Sequence, residues 1–225
     1  MKKLLILIVS FVLFLSCSES EETTSQTNSF FNIETGNLWV YKRYNYNNST
    51  NNYINTNVID SVFVTGDTLI NSISYKKIHH HTYFDIVNNP SYYQSSLDIV
   101  RVDTNDHLVR PNGFVVHPGL DYNYEYTHSY YSSFYFDSTT GTNVQNLFGT
   151  ADFQLSPGVL SLSVEGSQYN LYNYEGDFTG NQSLNIPDNT INYMYSEQIG
   201  AVLLKCPYVS GTGFYEDRLI YYEIN

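Results

Sequence analysis

Cysteine is nearly missing from this chain: its 225 residues hold two, Cys17 and Cys206. Charge is scarce too, at 14% of residues against roughly 25% in an ordinary soluble domain. Basic residues are the scarcer sign, 10 against 22 acidic, for a formal charge of −12. Nucleic acid is excluded as a partner on that ground, because phosphate neutralisation needs clustered Lys and Arg. Beyond residue 30 no stretch holds a helical period, so an α-helical domain is excluded as well. Catalytic signatures are also lacking: there is no Gly-x-Ser-x-Gly elbow, His-Glu-x-x-His, phosphate-cradling glycine loop or dinucleotide fingerprint. No cofactor is implied, and a binding or scaffolding protein is expected rather than an enzyme.

What is present begins with an export signal. Met1-Lys2-Lys3 is basic, and Leu4 to Leu15 is apolar apart from Ser10. Twelve helical residues span roughly 18 Å, well short of the ~30 Å hydrocarbon core, so these residues read as a secretory signal and not as a membrane span. Phe14-Leu15-Ser16-Cys17 resembles the lipobox of bacterial lipoproteins. The resemblance implies cleavage after residue 16 and a mature N-terminal Cys17 carrying a diacylglyceryl thioether and an N-acyl chain. Two or three acyl chains anchor a protein durably where one does not. The membrane, reached through that anchor, is the expected partner. Loss of Lys2 and Lys3 removes two positive charges from −12 and leaves the mature chain at −14.

Residues 17–29 read as a disordered tether, because Ser18-Glu19-Ser20-Glu21-Glu22 and the polar run after it bury too little to offset ordering entropy. The acidic cluster resembles the surface-export signal of Bacteroidetes-type lipoproteins; a plain solvated spacer explains it equally well. With Cys17 acylated, Cys206 has no partner for an intramolecular disulfide and reads as a buried small hydrophobe.

Residues 30–225 form one expected domain. Short apolar blocks alternate with Gly, Asn, Asp and Pro punctuation, the pattern of strands. Asn37–Tyr44 is the first, with Trp39, Tyr41 and Arg43 on one face, and it is followed by an Asn-rich loop from Asn45 to Asn57. Val58–Thr65 comes next, closed by a turn at Gly66-Asp67, and then Ser74–Tyr83. A hairpin is expected around Asp103-Thr104-Asn105-Asp106. Later candidates include Gly113–Val116, Tyr122–Tyr126, Ser133–Phe136, Gly158–Val164, Tyr169–Tyr174, Ile191–Tyr195, Ala201–Lys205 and Arg218–Ile224. The fold class is therefore all-β: one antiparallel sheet of about a dozen strands, curled as a half-barrel or open barrel, with a two-sheet β-sandwich as the alternative.

Gly36-Asn37-Leu38-Trp39-Val40-Tyr41 resembles the Gly-Asn-x-Trp-x-Tyr opening of uncharacterised secreted lipoproteins of Bacteroidetes. Gly66-Asp67-Thr68 with Tyr75-Lys76, and Tyr193 to Tyr195 with Ile199-Gly200, resemble their middle and end. The resemblance implies an outer-membrane location, periplasmic or surface-exposed, and an all-β domain, but no chemistry.

Three groups of residues stand as candidate sites. His79 and His81 share one face of a strand and could hold a metal if a third ligand joined them; an ordinary polar face is the competing reading. Tyr122, Tyr124 and Tyr126, alternating on a strand, could form an aromatic platform for a glycan or a surface protein, although strand propensity accounts for Tyr equally. Asp121, Glu125, Glu165, Glu175 and Asp177 are carboxylates that a hydrolase acting on glycans could pair. A further alternative is a lipid or lipoprotein carrier with a concave apolar face. Neither the ligand nor the oligomeric state follows from the sequence.

Overall fold

A computed structural model describes residues 29–47, 49–84, 93–131, 135–137, 142–207 and 213–225. The signal sequence, Cys17 and all but the last residue of the tether lie outside the described residues. Among the described residues fifteen strands follow one another: β1 (Leu38–Asn47), β2 (Asn52–Ile70), β3 (Ile73–Phe84), β4 (Tyr93–Val102), β5 (Leu108–Val109), β6 (Val115–His117), β7 (Tyr126–Tyr131), β8 (Tyr135–Asp137), β9 (Thr142–Val144), β10 (Leu147–Leu155), β11 (Leu160–Val164), β12 (Ser167–Gly180), β13 (Asn189–Ser196), β14 (Gly200–Pro207) and β15 (Phe214–Glu223). A single 3₁₀ turn, Gln182–Leu184, is the one helical element among the described residues.

Every pairing is antiparallel, and the main sheet runs β6-β5-β4-β3-β2-β1-β15-β14-β13-β12-β10-β7, with β11 folded onto the start of β12 and β8 paired with β9 apart from it. The first and last strands therefore meet in the middle of the sheet. One arm is a meander from β1 out to β6, and the other runs back from β15 through β12 to β7. So wide a sheet cannot stay flat, because right-handed strand twist accumulates and an apolar face must be covered. It curls into a half-barrel.

Local chemistry explains the turns. Asn71 and Ser72 both take positive φ, 51° and 64°, the geometry of a two-residue hairpin turn. The turn expected at Gly66-Asp67 is instead a β-bulge inside the 19-residue β2: pairing with β3 slips by one residue between Val64 and Gly66, whose φ of +143° suits glycine. The Asn-rich loop is also shorter than expected. Asn45 to Asn47 pair with Ile54 to Asn52, and Tyr46 packs on Tyr53 with ring centroids 5.1 Å apart. This cross-strand aromatic pair outweighs the poor strand propensity of Asn. Tyr122 to Tyr126 is no strand. Asp121 accepts the backbone N–H of Asn123 at 3.0 Å and makes a turn, and β7 starts only at Tyr126. β10 was hidden in the sequence because Gly149-Thr150-Ala151-Asp152 has turn-like composition, yet Ala151, Phe153 and Leu155 alternate into the core. Phe153 fits there because Gly176, its partner on β12, leaves room for the ring.

Two apolar clusters fill the fold. One gathers Trp39, Tyr41, Val62 and Val64 with Val202, Leu203 and Leu219, and with Val164 and Leu171 of the β11–β12 hairpin. The other is aromatic, with Phe153, Tyr174, Phe178, Tyr130 and Phe214 around Ile191. The N-terminal lead-in belongs to the domain: Phe30 and Phe31 are buried against His117, and the Phe30 N–H donates to Asp106 at 2.8 Å.

Candidate functional site

The curl leaves a cavity of about 230 Å³. Trp39 and Tyr41 of β1, Val62 of β2, Ile78 of β3, Val100 of β4, Leu108 of β5 and Val116 of β6 line it from one arm. Tyr195 of β13 and Ala201 and Leu204 of β14 line it from the other, and Phe31 and Ile33 of the lead-in contribute as well. These positions are set by the two-residue strand period, which sends Val62, Val64 and Asp60 to one side of β2. Trp39, the only tryptophan of the chain, is held in the wall by its indole N–H, which donates to the Ile199 carbonyl. The Tyr41 hydroxyl donates to the Ala201 carbonyl at 3.0 Å, so β1 and β14 are stitched across the cavity.

The wall becomes polar along each strand in the same direction. On β4, Val100 is 2% exposed and the side chain of Asp98, two residues earlier, is 40% exposed. On β3, Ile78 gives way to His80, and on β2 Val62 gives way to Asp60. The His80 ring stands between two carboxylates, Nδ1 at 3.5 Å from Asp60 and Nε2 at 3.9 Å from Asp98. Thr82 donates to Asp60 at 2.9 Å and Arg110 to Asp98 at 3.0 Å. Burial opposes the charged imidazole, but the hydrogen bond and charge of Asp60, with the charge of Asp98, outweigh it and hold His80 above its ordinary 6.5. Burial likewise pushes the Asp60 carboxyl up, and His80, Thr82 and Arg43 together bring it below its ordinary 3.8. Asp217 also lines the cavity, its two oxygens taken by the Arg43 fork at 2.8 and 2.7 Å. The cavity is thus apolar at Val62, Ile78 and Val100 and polar at Asp60, His80 and Asp98.

The expected site residues fall elsewhere. His79 and His81 point to the opposite face of β3, where they flank Phe63 with ring centroids at 5.6 and 4.7 Å. Among the described residues no group of three or more His, Cys, Asp or Glu side chains could hold a metal ion. Tyr122, Tyr124 and Tyr126 do not alternate on one strand, since β7 starts only at Tyr126. Tyr122 is an exposed turn residue, Tyr124 leans on His107, and Tyr126 stacks on Phe153 at 5.1 Å. Other tyrosines go inward: Tyr174 is fully buried, and the Tyr193 hydroxyl meets that of Tyr130 at 2.6 Å. Cys206 points at Tyr193, and burial pushes its thiol up to about 11, so it is a neutral thiol at physiological pH.

Of the carboxylates, Glu125, Glu175 and Asp177 do gather, with Asp152, around a groove of about 420 Å³. All four of these residues are exposed, whereas a general acid is kept protonated by burial against apolar surface. Asp121 pairs with His107 and Glu165 with Arg218. Asp103 caps the N–H groups of Asn105 and His107, and Asp106 is spent on Ser29 and Phe30, which accounts for the Asp-rich loop without a cation.

The sequence reading missed the Asp60–His80–Asp98 row and the Arg43–Asp217 pair. The alternation of Asp60, Val62 and Val64 was the available signal for the first. The second joins residues far apart in sequence and left none.

A scan against protein-family models gives no match, and neither does a search of curated proteins. Two solved structures are similar in outline. A Bacteroides fragilis protein, provisionally assigned as exported with a YmcC-like fold, aligns over 87% of this chain and 99% of its own, with a TM-score of 0.48 and 9% identity. A Parabacteroides distasonis protein, provisionally assigned as a lipoprotein, aligns over the same shares with a TM-score of 0.39 and 14% identity.

Proposed function

We propose that this chain is an extracytoplasmic lipoprotein, tethered to the outer membrane through Cys17, whose β-domain binds a small apolar or amphiphilic molecule inside its curl. The carrying observation is the 230 Å³ cavity with Trp39, Val62, Ile78 and Val100 in its wall. An apolar cavity of about 150 Å³ accepts benzene. By that measure this one takes a chain or ring of roughly nine heavy atoms. This supports a small-molecule carrier over a flat scaffolding surface, since Tyr122, Tyr124 and Tyr126 do not alternate on one strand and Tyr126 is stacked on Phe153. The lipobox resemblance and the acidic tether support the location.

Trp39 supplies the test, being the sole tryptophan and a wall residue. Titration of the mature chain with octan-1-ol is expected to shift and saturate its emission; an emission spectrum indifferent to the alcohol overturns the binding reading. Radiolabelled palmitate is expected to enter the protein in a native host and to be lost in Cys17→Ser. Equal labelling of the variant would remove the anchor.

A further inference from the structure

Among the described residues the cavity is lined by three carboxylates, Asp60, Asp98 and Asp217, and by no lysine or arginine. Two cations reach these acids from outside the lining. Arg43 of β1 closes on Asp217 with both of its forked N–H groups, and Arg110, beyond β5, donates to Asp98. Three carboxylates against two guanidiniums leave one negative charge over whenever His80 is neutral. That charge lies beside His80, between Asp60 and Asp98, where the apolar wall gives way to the open mouth. Asp60 is the better shielded of the two, its side chain 17% exposed.

We infer that the pocket selects an amphiphile with a cationic amine head and a short apolar chain or ring, the ammonium lying at the mouth beside the His80 ring, against the Asp60 and Asp98 carboxylates that flank it. This rests on the pocket reading above and names the ligand's head group. An ammonium offers three donors, and the Asp60 and Asp98 carboxylates are acceptors partly shielded from water, where a charge-assisted hydrogen bond is stronger than in bulk. A fatty carboxylate or a phosphate head would bring a second anion against Asp60 and Asp98 with no free cation to receive it. Arg43 is committed to Asp217 and Arg110 to Asp98. The outer surface of a chain at −14 adds a long-range field of the same sign.

The site also couples head-group binding to pH. Asp60 from β2, Asp98 from β4 with Arg110 behind it, and Arg43 beyond Asp60 are the charged groups around His80. Protonated His80 occupies the charge that the ammonium would neutralise. Amine affinity therefore rises as pH increases and His80 loses its proton, up to the range near 10.4 where the amine itself deprotonates.

The experiment is a comparison of three eight-carbon probes by Trp39 emission at pH 8: octylamine, octan-1-ol and octanoate. It uses the mature chain with Cys17→Ser, which removes the acylation site and the need for detergent. Octylamine is expected to bind about tenfold or more tighter than octanoate, with the alcohol between them. Asp98→Asn, at a half-exposed position tolerant of change, is expected to bring the amine-to-alcohol affinity ratio down about fivefold or more, and Asp60→Asn to do the same. The ratio is also expected to fall between pH 8 and pH 6. Binding of the alcohol with no preference for amine over carboxylate would overturn this inference and leave the pocket reading standing. Silence from all three probes would overturn both.

Discussion

The backbone N–H of Asn225 donates to the side-chain carbonyl of Asn37 at 2.8 Å, tying the last residue of the chain to the entry of β1. The amide nitrogen of Asn37 donates in turn to the Asn32 carbonyl at 3.1 Å, and its backbone carbonyl accepts from Val64 at 3.0 Å. Asn37 is 0% exposed, and its side chain is what the Asn225 N–H and the Asn32 carbonyl would lose, while the bond from Val64 is made to the backbone and stays. Asn37→Ala is expected to cost about 2–3 kcal/mol, the penalty of stranding buried polar groups. Urea unfolding of the variant measures it, and an unchanged midpoint would contradict the role given to this side chain.

Filling the cavity should separate binding from stability. Ala201 lines it, and its carbonyl is pinned by Tyr41, so the backbone there is braced. Ala201→Phe places a ring in existing space and is expected to abolish the octan-1-ol response of Trp39 while stability changes by less than about 1.5 kcal/mol. Thermal melts and emission titrations on the same sample read both.

Acid should destabilise the fold through His117. Its Nδ1 accepts the Gly119 N–H at 3.1 Å, and its ring lies among Phe30, Tyr174 and Tyr195. Burial first, and the nearby His107 second, hold it well below 6.5. The unfolded chain takes up a proton near pH 6.5 and the folded one does not. Stability is therefore insensitive to this group above about pH 7 and falls below pH 6.5, by up to about 1.4 kcal/mol per unit. His80 acts with the opposite sign. Its raised folded value favours the native state at low pH, and that contribution is lost as pH rises through it. His117→Phe is expected to remove the acid-side loss due to this group in urea midpoints taken from pH 5 to 8, leaving the His80 trend of opposite sign.

The Arg43–Asp217 pair should behave as a unit. Arg43 also stacks on Tyr215, its guanidinium 4.0 Å from the ring centroid. Arg43→Met alone leaves the Asp217 carboxylate, 12% exposed, without its partner and is expected to cost about 3 kcal/mol. The double variant with Asp217→Leu is expected to recover most of that loss. A double-mutant cycle decides, and additive costs would rule out the coupling.

Much of the fold was legible because its signals are local. Trp39 and Tyr41 alternate on β1 as the two-residue period requires, and Asp103 to Asp106 form the expected hairpin loop. Where local signals misled, tertiary pairing had overruled them. The Tyr46–Tyr53 pair drew Asn residues into strands, and Asp121 pulled Tyr122 and Tyr124 into a turn. The alternation of Tyr122, Tyr124 and Tyr126 suggests a display surface, but the turn at Asp121 takes Tyr122 out of line and Tyr126 packs on Phe153.

From the sequence alone came the class of structure: alternating apolar positions and no helical period allow only a β-domain, and two cysteines leave it to stand on its packing. Which histidine meets the pocket was decided elsewhere. Had β2 paired with β3 from the Asn71-Ser72 turn without interruption, Val62 would lie opposite His81, and His79 and His81 would share its face. The bulge at Gly66 shifts the register by one residue and sets Val62 opposite His80. Because side chains alternate, that single residue turns His79 and His81 outward and brings His80 between Asp60 and Asp98. A glycine in a strand does not announce whether it bulges, and only the assembled sheet, with β4 supplying Asp98 and β14 the far wall, builds the site.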